Sequence, residues 1–144
     1  MRYREVIRMP LWLLAIIYFF LLSLVLSIGA ALGNTAAIVS LLATTALLVL
    51  IALKSALRIE INDEELRVGR AHIELKFVSS IQTLTASEMA SLRTRDANPA
   101  AFLAIRFWSP AGVRVVINDS RDSTPYWLVT SKNPRALIKA LELN

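Results

Sequence analysis

The sequence predicts an α+β membrane protein, in which an N-terminal transmembrane helical hairpin precedes a small antiparallel β-rich domain with a C-terminal helix. Three observations lead to this fold class. Residues 1–53 are 74% apolar, whereas the other 91 of the 144 residues are 45% apolar and 25% charged. Residues 9–53 include no charged side chain and no histidine. Beyond residue 56 the apolar side chains recur with a period of two, which is typical of half-buried strands.

The uncharged segment is long enough to cross a membrane twice. As one helix its 45 residues would be roughly 68 Å long, about twice the hydrocarbon thickness of a bilayer. Two of the four glycines and an asparagine lie in residues 29–35, which marks a helix end followed by a helix start. Residues 10–53 are therefore predicted to be a transmembrane hairpin, with helices at about residues 10–30 and 35–54.

Basic side chains at both ends of this hairpin predict its orientation. The loop between the helices carries no charge, so both ends are expected on the cytoplasmic side of the membrane. Residues 1–9 then form a cytoplasmic N-terminus, and residues 55–144 form a cytoplasmic β-rich domain. A signal peptide is the main rival for the first helix, but its apolar segment is longer than a typical signal core and a second one follows directly. The flanking basic residues are Arg2, Arg4, Arg8, Lys54 and Arg58.

Hydroxyl side chains within the hairpin allow two interpretations. They either hydrogen-bond between the two helices or bond the backbone of their own helix. The second arrangement is common for serine and threonine in helices, so we expect it for most of them. The residues concerned are Ser23, Ser27, Ser40, Thr44 and Thr45.

The first half of the β-rich domain is predicted from alternating residues and turn signals. Residues 57–61 and 71–77 alternate apolar and polar side chains, with turns expected at residues 62–65 and 69–70. Residues 77–84 are expected to continue into a further strand. Thr85 and Glu88 have capping-box spacing, which predicts a short helix to about residue 95.

The second half is predicted to contain a β-hairpin and a closing helix. Residues 102–108 and 113–118 have the character of strands, joined by a turn at residues 109–112. A last strand spans about residues 126–130, after which an Asn-Pro pair starts a helix. The apolar face of this helix is formed by Leu137, Ile138 and Leu141.

The predicted order of elements resembles the pleckstrin-homology-like (PH-like) barrel. About seven short strands are followed by one amphipathic helix, and in that barrel the helix closes one open end of a bent sheet. The alternative is a two-layer α/β sandwich, with both helices on one face of a single antiparallel sheet.

Four groups of residues have a distinctive sequence. They are Tyr3-Arg4-Glu5 with Pro10 and Trp12, residues 65–70, residues 98–103 and residues 124–131. They resemble an actinobacterial family of two-pass membrane proteins that is classed as a domain of unknown function (domain of unknown function 3093). The resemblance covers nearly the whole chain and implies a plasma-membrane location and a layout of two helices followed by a domain. That family has no assigned activity, so the resemblance implies no catalytic residue.

The β-rich domain offers little catalytic or metal-binding chemistry. There is no cysteine and a single histidine, so we expect no metal site and no cofactor. His72 falls on the polar side of its predicted strand, and we expect it to be solvated. Asp63, Glu64 and Glu65 fall in a predicted turn, where solvated roles are also expected.

The loop at residues 118–125 contains the remaining candidates for chemistry. Ser120 and Ser123 lack the glycine-flanked turn that surrounds many serine nucleophiles. Asp119 and Asp122 could form a carboxylate pair for acid–base chemistry. Turn capping and an ion pair with Arg121 explain both aspartates as well, so we expect no catalytic residue.

A candidate binding surface is predicted from aromatic and basic side chains. Neighbouring residues on a strand face opposite sides, so either Tyr126 or Trp127 points outward, where a partner can reach it. Arg67, Arg70 and Lys76 surround one predicted β-hairpin, and each could add about 1 kcal/mol of attraction to anionic lipid. The net charge of +5 is also explained by topology and solubility alone. No nucleic-acid partner is expected, because acidic residues are interspersed among the basic ones.

These observations lead to three hypotheses of function. The first is a non-enzymatic interaction or scaffolding module, tethered to the lipid bilayer at the inner leaflet, whose partner is an anionic lipid headgroup or a membrane protein. The second is an enzyme that acts on a lipid or envelope precursor through Asp119, Asp122 or His72. The third is a small subunit of a larger membrane complex, in which the helical hairpin makes the contacts.

Overall fold

The computed structural model describes residues 1–142, which fold into two compact units. The helical unit is Arg8–Ala56, and the β-rich unit combines Met1–Ile7 with the chain from Leu57 onward. The first residues of the chain, which the sequence assigned to a separate N-terminal segment, therefore fold with the β-rich unit.

The helical unit consists of two long apolar helices. Helix α1 spans Leu11–Leu32 and helix α2 spans Asn34–Lys54, with mean hydropathies of 2.7 and 2.6. Both are long and apolar enough to cross a membrane. They are joined at Gly33, whose φ of 94° lies in the left-handed region that glycine adopts without strain.

The two helices pack closely against each other within this unit. A Cβ atom added to Gly29 would lie 2.9 Å from the Cβ of Ala37, so the glycine permits the close approach. The hydroxyls of Tyr18 and Thr45 lie 3.3 Å apart and hydrogen-bond between the helices. The other four hydroxyl side chains bond the backbone of their own helix, as expected; they are Ser23, Ser27, Ser40 and Thr44.

The β-rich unit contains two four-stranded sheets and two helices. The first sheet is antiparallel, with its strands in chain order: β1 (Tyr3–Ile7), β2 (Leu57–Ile61), β3 (Glu65–Val68) and β4 (Ala71–Glu74). The second sheet has the order β5-β7-β8-β6, in which the strands are β5 (Val78–Leu84), β6 (Phe102–Ala104), β7 (Gly112–Ile117) and β8 (Tyr126–Thr130). Helix α3 spans Ala86–Arg93, and helix α4 spans Pro134–Glu142.

Strand β1 was not predicted from the sequence. It pairs with β2 along its whole length, from Tyr3 opposite Ile61 to Ile7 opposite Leu57. The helical unit is therefore inserted between two neighbouring antiparallel strands, and its two ends continue from residues that are partners in one sheet.

The predicted β-hairpin at residues 109–112 is wrong. Strand β7 pairs with β5 on one side and β8 on the other, so it has no free edge for β6. Strand β6 instead pairs in parallel with the outer edge of β8 and ends at Ala104. Because β6 pairs in parallel, the second sheet is mixed rather than wholly antiparallel. The expectation of a single-sheet sandwich is wrong because the strands form two sheets.

Other local predictions differ from the structure by a few residues. The strand predicted over residues 71–77 ends at Glu74, and Leu75–Phe77 form a 3-10 turn. The capping box of α3 is confirmed, since Thr85 Oγ1 accepts the Glu88 N–H at 3.3 Å and a Glu88 carboxylate oxygen accepts the Thr85 N–H at 3.1 Å.

The C-terminal helix begins where the sequence predicts. Asn133 Oδ1 accepts the Ala136 N–H at 3.2 Å, and Pro134 occupies the first helical position. Leu137 and Leu141 are buried on its inner face, and Ile138 packs beside them.

Both sheets and helix α4 contribute to one main apolar core. Ile7, Ile59 and Ile61 of the first sheet are fully buried, as are Val113 and Val115 of the second. Burial of one isoleucine side chain stabilises a fold by about 1.5–3 kcal/mol, so Ile7 makes β1 a structural part of the unit.

A half-buried carboxylate joins the first sheet to the end of the second. Glu5 of β1 accepts hydrogen bonds from Ser131 Oγ at 2.7 Å, the Lys132 N–H at 2.6 Å and the Tyr3 hydroxyl at 3.0 Å. Burial and this bond to Glu5 raise the pKa of Tyr3 to about 12. We call these four residues the Glu5 clasp.

Removal of the Glu5 carboxylate should destabilise the β-rich unit. We expect Glu5→Ala to lower the free energy of unfolding by about 1–3 kcal/mol, because the buried Ser131 hydroxyl loses its charged acceptor. Urea unfolding of the full chain in detergent, followed by tryptophan fluorescence, measures the change. The matched control is Glu64→Ala at an exposed position, and equal stabilities of the two variants would contradict the prediction.

Candidate functional site

The structure separates the residues of the predicted binding surface. Trp127 is 5% exposed and packs against Phe102, with 4.9 Å between the ring centroids. It is therefore a core residue, and Tyr126 is the more outward member of the pair. Tyr126 packs instead against a second apolar cluster that contains Leu84 and Met89.

The three basic residues lie around the β3–β4 turn and the 3-10 turn that follows. Arg67 forms an ion pair with Glu65, and Lys76 lies 2.5 Å from a carboxylate oxygen of Glu74. Arg70 is exposed in the β3–β4 turn and has no ion-pair partner among residues 1–142. Of the three, Arg70 has the charge most available to a partner.

One small cavity brings together the three residues that the sequence suggested for chemistry. It has a volume of about 190 Å³, and we call it the His72 cavity. The loop after β7 begins beside Phe77, where the Asn118 N–H donates to the Phe77 carbonyl at 2.8 Å. Its lining includes His72, Phe77, Asp119, Arg121, Asp122 and Trp127.

Both aspartates in the His72 cavity are committed to local bonds. Asp119 accepts from Arg121 Nε at 3.1 Å, from Arg121 Nη2 at 3.2 Å and from the Arg121 N–H at 2.9 Å. The side-chain bond to Arg121 is the main reason that the pKa of Asp119 is lowered and that of Arg121 is raised. Asp122 accepts the Thr124 N–H at 2.9 Å and caps the turn.

The ion pair with Arg121 favours the ionised form of Asp119. A carboxyl group with a lowered pKa has no proton to donate near neutral pH. The His72 side chain has no hydrogen bond to any residue in the described part of the chain, so no carboxylate orients it as a base. Within residues 1–142, no group of three or more potential ligands is placed to hold a metal ion.

Two cationic side chains contact the Phe77 ring in the lining of this cavity. The Arg121 guanidinium is 5.0 Å and the Lys76 ammonium 4.9 Å from its ring centroid. Such contacts contribute about 0.5–1 kcal/mol at exposed sites. The sequence did not reveal this arrangement, because Arg121 is 44 positions away along the chain.

Comparison with known families assigns the chain to one family. The model of a family described as protein of unknown function (DUF3093) matches residues 2–141. The chain belongs to this family. No curated protein and no solved structure matches it. The DUF3093 match begins before β1 and ends within α4, so it covers both the helical unit and the β-rich unit of this chain.

The ion pair in the His72 cavity predicts an altered titration of Asp119. We expect Arg121→Gln to raise the pKa of Asp119 toward its ordinary value, because the neutral side chain no longer favours the carboxylate. In the parent protein the pair stabilises the fold above the ordinary carboxyl pKa, and this contribution is lost as the pH falls through the lowered value.

Carbon-13 NMR titration of the Asp119 carboxyl group measures this pKa. Arg70→Gln is the matched control, since it removes an arginine outside the His72 cavity. An Asp119 titration that is identical in the parent and Arg121→Gln proteins would show that the ion pair is absent in solution.

Proposed function

We propose that this protein is a two-pass plasma-membrane protein with both chain ends in the cytoplasm, and that its β-rich unit is a non-enzymatic interaction or scaffolding module at the inner leaflet. The observation that carries the topology is the pairing of β1 with β2. It connects the residues before α1 and after α2 into one sheet.

This pairing argues for an even number of membrane crossings. A sheet folds on one side of a bilayer, so Ile7 and Leu57, as direct partners, must lie on the same side. Cleavage of α1 as a signal sequence would remove β1, together with the fully buried Ile7 and the Glu5 clasp. Both consequences support a retained helical hairpin.

The surfaces of the helices support insertion into lipid. Leu11, Phe19 and Leu26 are 83%, 67% and 75% exposed, and most of the exposed large apolar side chains belong to α1 and α2. Water would disfavour an apolar surface of this size, whereas a hydrocarbon environment would not. The basic flanks and the uncharged turn support a cytoplasmic location for both ends.

The β-rich unit is proposed to be a PH-like barrel. Two four-stranded sheets share one core, and α4 buries Leu137 and Leu141 in it. This agrees with a bent sheet system that a C-terminal helix closes. The parallel pairing of β6 with β8 is an addition to that pattern.

A binding role is favoured over catalysis by the charges of the unit. The aspartates of the His72 cavity are occupied by Arg121 and by a turn, whereas Arg70 is exposed and has no ion-pair partner in the described chain. We propose that Arg70, with Arg67, Lys76 and Tyr126 as further candidates, contacts an anionic lipid headgroup or a membrane protein.

An enzyme remains the second candidate, for one specific reason. His72, Asp119 and Asp122 line the same cavity although they come from two distant parts of the chain. The substrate class would be a lipid or envelope precursor.

Labelling of single cysteines tests the topology. The chain contains no cysteine, so Asn34→Cys and Ser123→Cys each introduce a unique thiol at an exposed position. We expect a membrane-impermeant maleimide to label intact cells at residue 34 and not at residue 123. Mass spectrometry should also detect residues 3–7 in the membrane-extracted protein. Labelling at residue 123 alone, or loss of residues 3–7, would refute the proposed topology.

Complementation of a deletion strain separates the two functions. We expect the triple variant His72→Gln, Asp119→Asn, Asp122→Asn to restore the phenotype fully, because the asparagines still cap the loop. The matched triple variant Arg67→Glu, Arg70→Glu, Lys76→Glu should fail, because it reverses the charge of the proposed contact surface. The opposite pattern would favour the enzyme.

A further inference from the structure

We propose that a second cavity in the β-rich unit binds a zwitterionic small molecule, in which an ammonium group lies a few bonds from a carboxylate or phosphate. This cavity lies between helix α3 and strands β5 and β7 and has a volume of about 370 Å³; we call it the α3 cavity. The site is independent of the proposed membrane topology and adds a ligand to the module.

Arg114 supplies the cationic side of the α3 cavity. Its Nη2 donates to Gln82 Oε1 at 2.7 Å, and its guanidinium lies 5.8 Å from the ring centroid of Tyr126. Its Nε is buried and has no hydrogen-bond partner. These contacts hold the guanidinium in place, but none of them neutralises its charge.

Glu88 and Asp96 supply the anionic side. Glu88 is held by the capping box, in which one carboxylate oxygen accepts the Thr85 N–H at 3.1 Å. Asp96 accepts a hydrogen bond from Ser91 Oγ at 3.1 Å and forms a solvent-exposed ion pair with Arg95 Nε at 4.0 Å. Each carboxylate is thus oriented by α3 and the residues next to it, and each keeps acceptor capacity.

These opposite charges line one cavity without bonding each other. No ion pair connects Arg114 with Glu88 or Asp96 in the part of the chain that the structure describes. Each charge is fixed by bonds on its own side, so the space between them is preorganised for a ligand that carries both charges.

The rest of the lining limits the size and chemistry of this ligand. Leu84 and Leu92 provide a small apolar surface, and the Ser87 hydroxyl has no partner among residues 1–142. The volume is at the small end for ligand pockets. A free amino acid and the ethanolamine-phosphate headgroup of a lipid both have the required chemistry.

Calorimetric titration of the full chain in an uncharged detergent tests the site. The probes are L-alanine for the amino acids and glycerophosphoethanolamine for the headgroup, with propionate and ethylamine as analogues that carry one charge. We expect at least one zwitterion to bind, and each single-charge analogue to bind about tenfold more weakly or not at all, because it satisfies one side of the cavity.

Variants assign the binding to the α3 cavity. Arg114→Gln and the double variant Glu88→Gln, Asp96→Asn should each weaken binding by about tenfold or more, whereas Arg135→Gln, which changes an exposed arginine of α4 outside this cavity, should not change it. Glutamine at residue 88 can keep the capping box. The double variant therefore tests binding at the α3 cavity even if Arg114→Gln does not fold. Binding of L-alanine alone identifies a soluble ligand, and binding of glycerophosphoethanolamine alone identifies a lipid headgroup. Absence of binding by both zwitterions, or equal binding by all variants, would overturn the proposal.

Discussion

The pairing of β1 with β2 is the constraint on which the rest of this structure depends. Ile7 and Leu57 are partners in one sheet although 49 residues of helical unit lie between them. The β-rich unit is therefore complete only when β1, at the start of the chain, pairs with β2. In a membrane, this requirement links the folding of the unit to the insertion of both helices, because β1 has to stay on the side where β2 is delivered.

The Glu5 clasp extends this constraint to the other end of the unit. Glu5 belongs to β1, and its partners Ser131 and Lys132 lie between β8 and α4. Ser131 is fully buried, so its hydroxyl has little access to water and needs this carboxylate. One side chain in this way connects the first strand to the segment that precedes the last helix.

Local predictions succeeded where neighbouring residues supply the whole interaction. The α3 capping box and the Asn133 cap need only residues three positions apart, and both are present. The β6–β7 hairpin failed because the turn at residues 109–112 is a local signal, whereas strand pairing depends on which edges of β7 other strands occupy. The candidate sites show the same limit of local prediction. The ion pair of Asp119 with Arg121 can be predicted because the two residues are close in sequence, but their position in one cavity with His72 cannot.

The sequence by itself determined the composition of the two units, the two apolar helices with their glycine turn, and the caps of α3 and α4. These features depend on hydrophobicity and on contacts within a few residues. The tertiary structure alone decided that residues 3–7 form a strand, that Trp127 is buried while Tyr126 faces Arg114, and that no ion pair within residues 1–142 joins Arg114 to Glu88 or Asp96. The reason is that strand pairing and burial depend on residues that lie tens of positions apart in the chain. The sequence of residues 3–7 does not by itself reveal which strand they pair with.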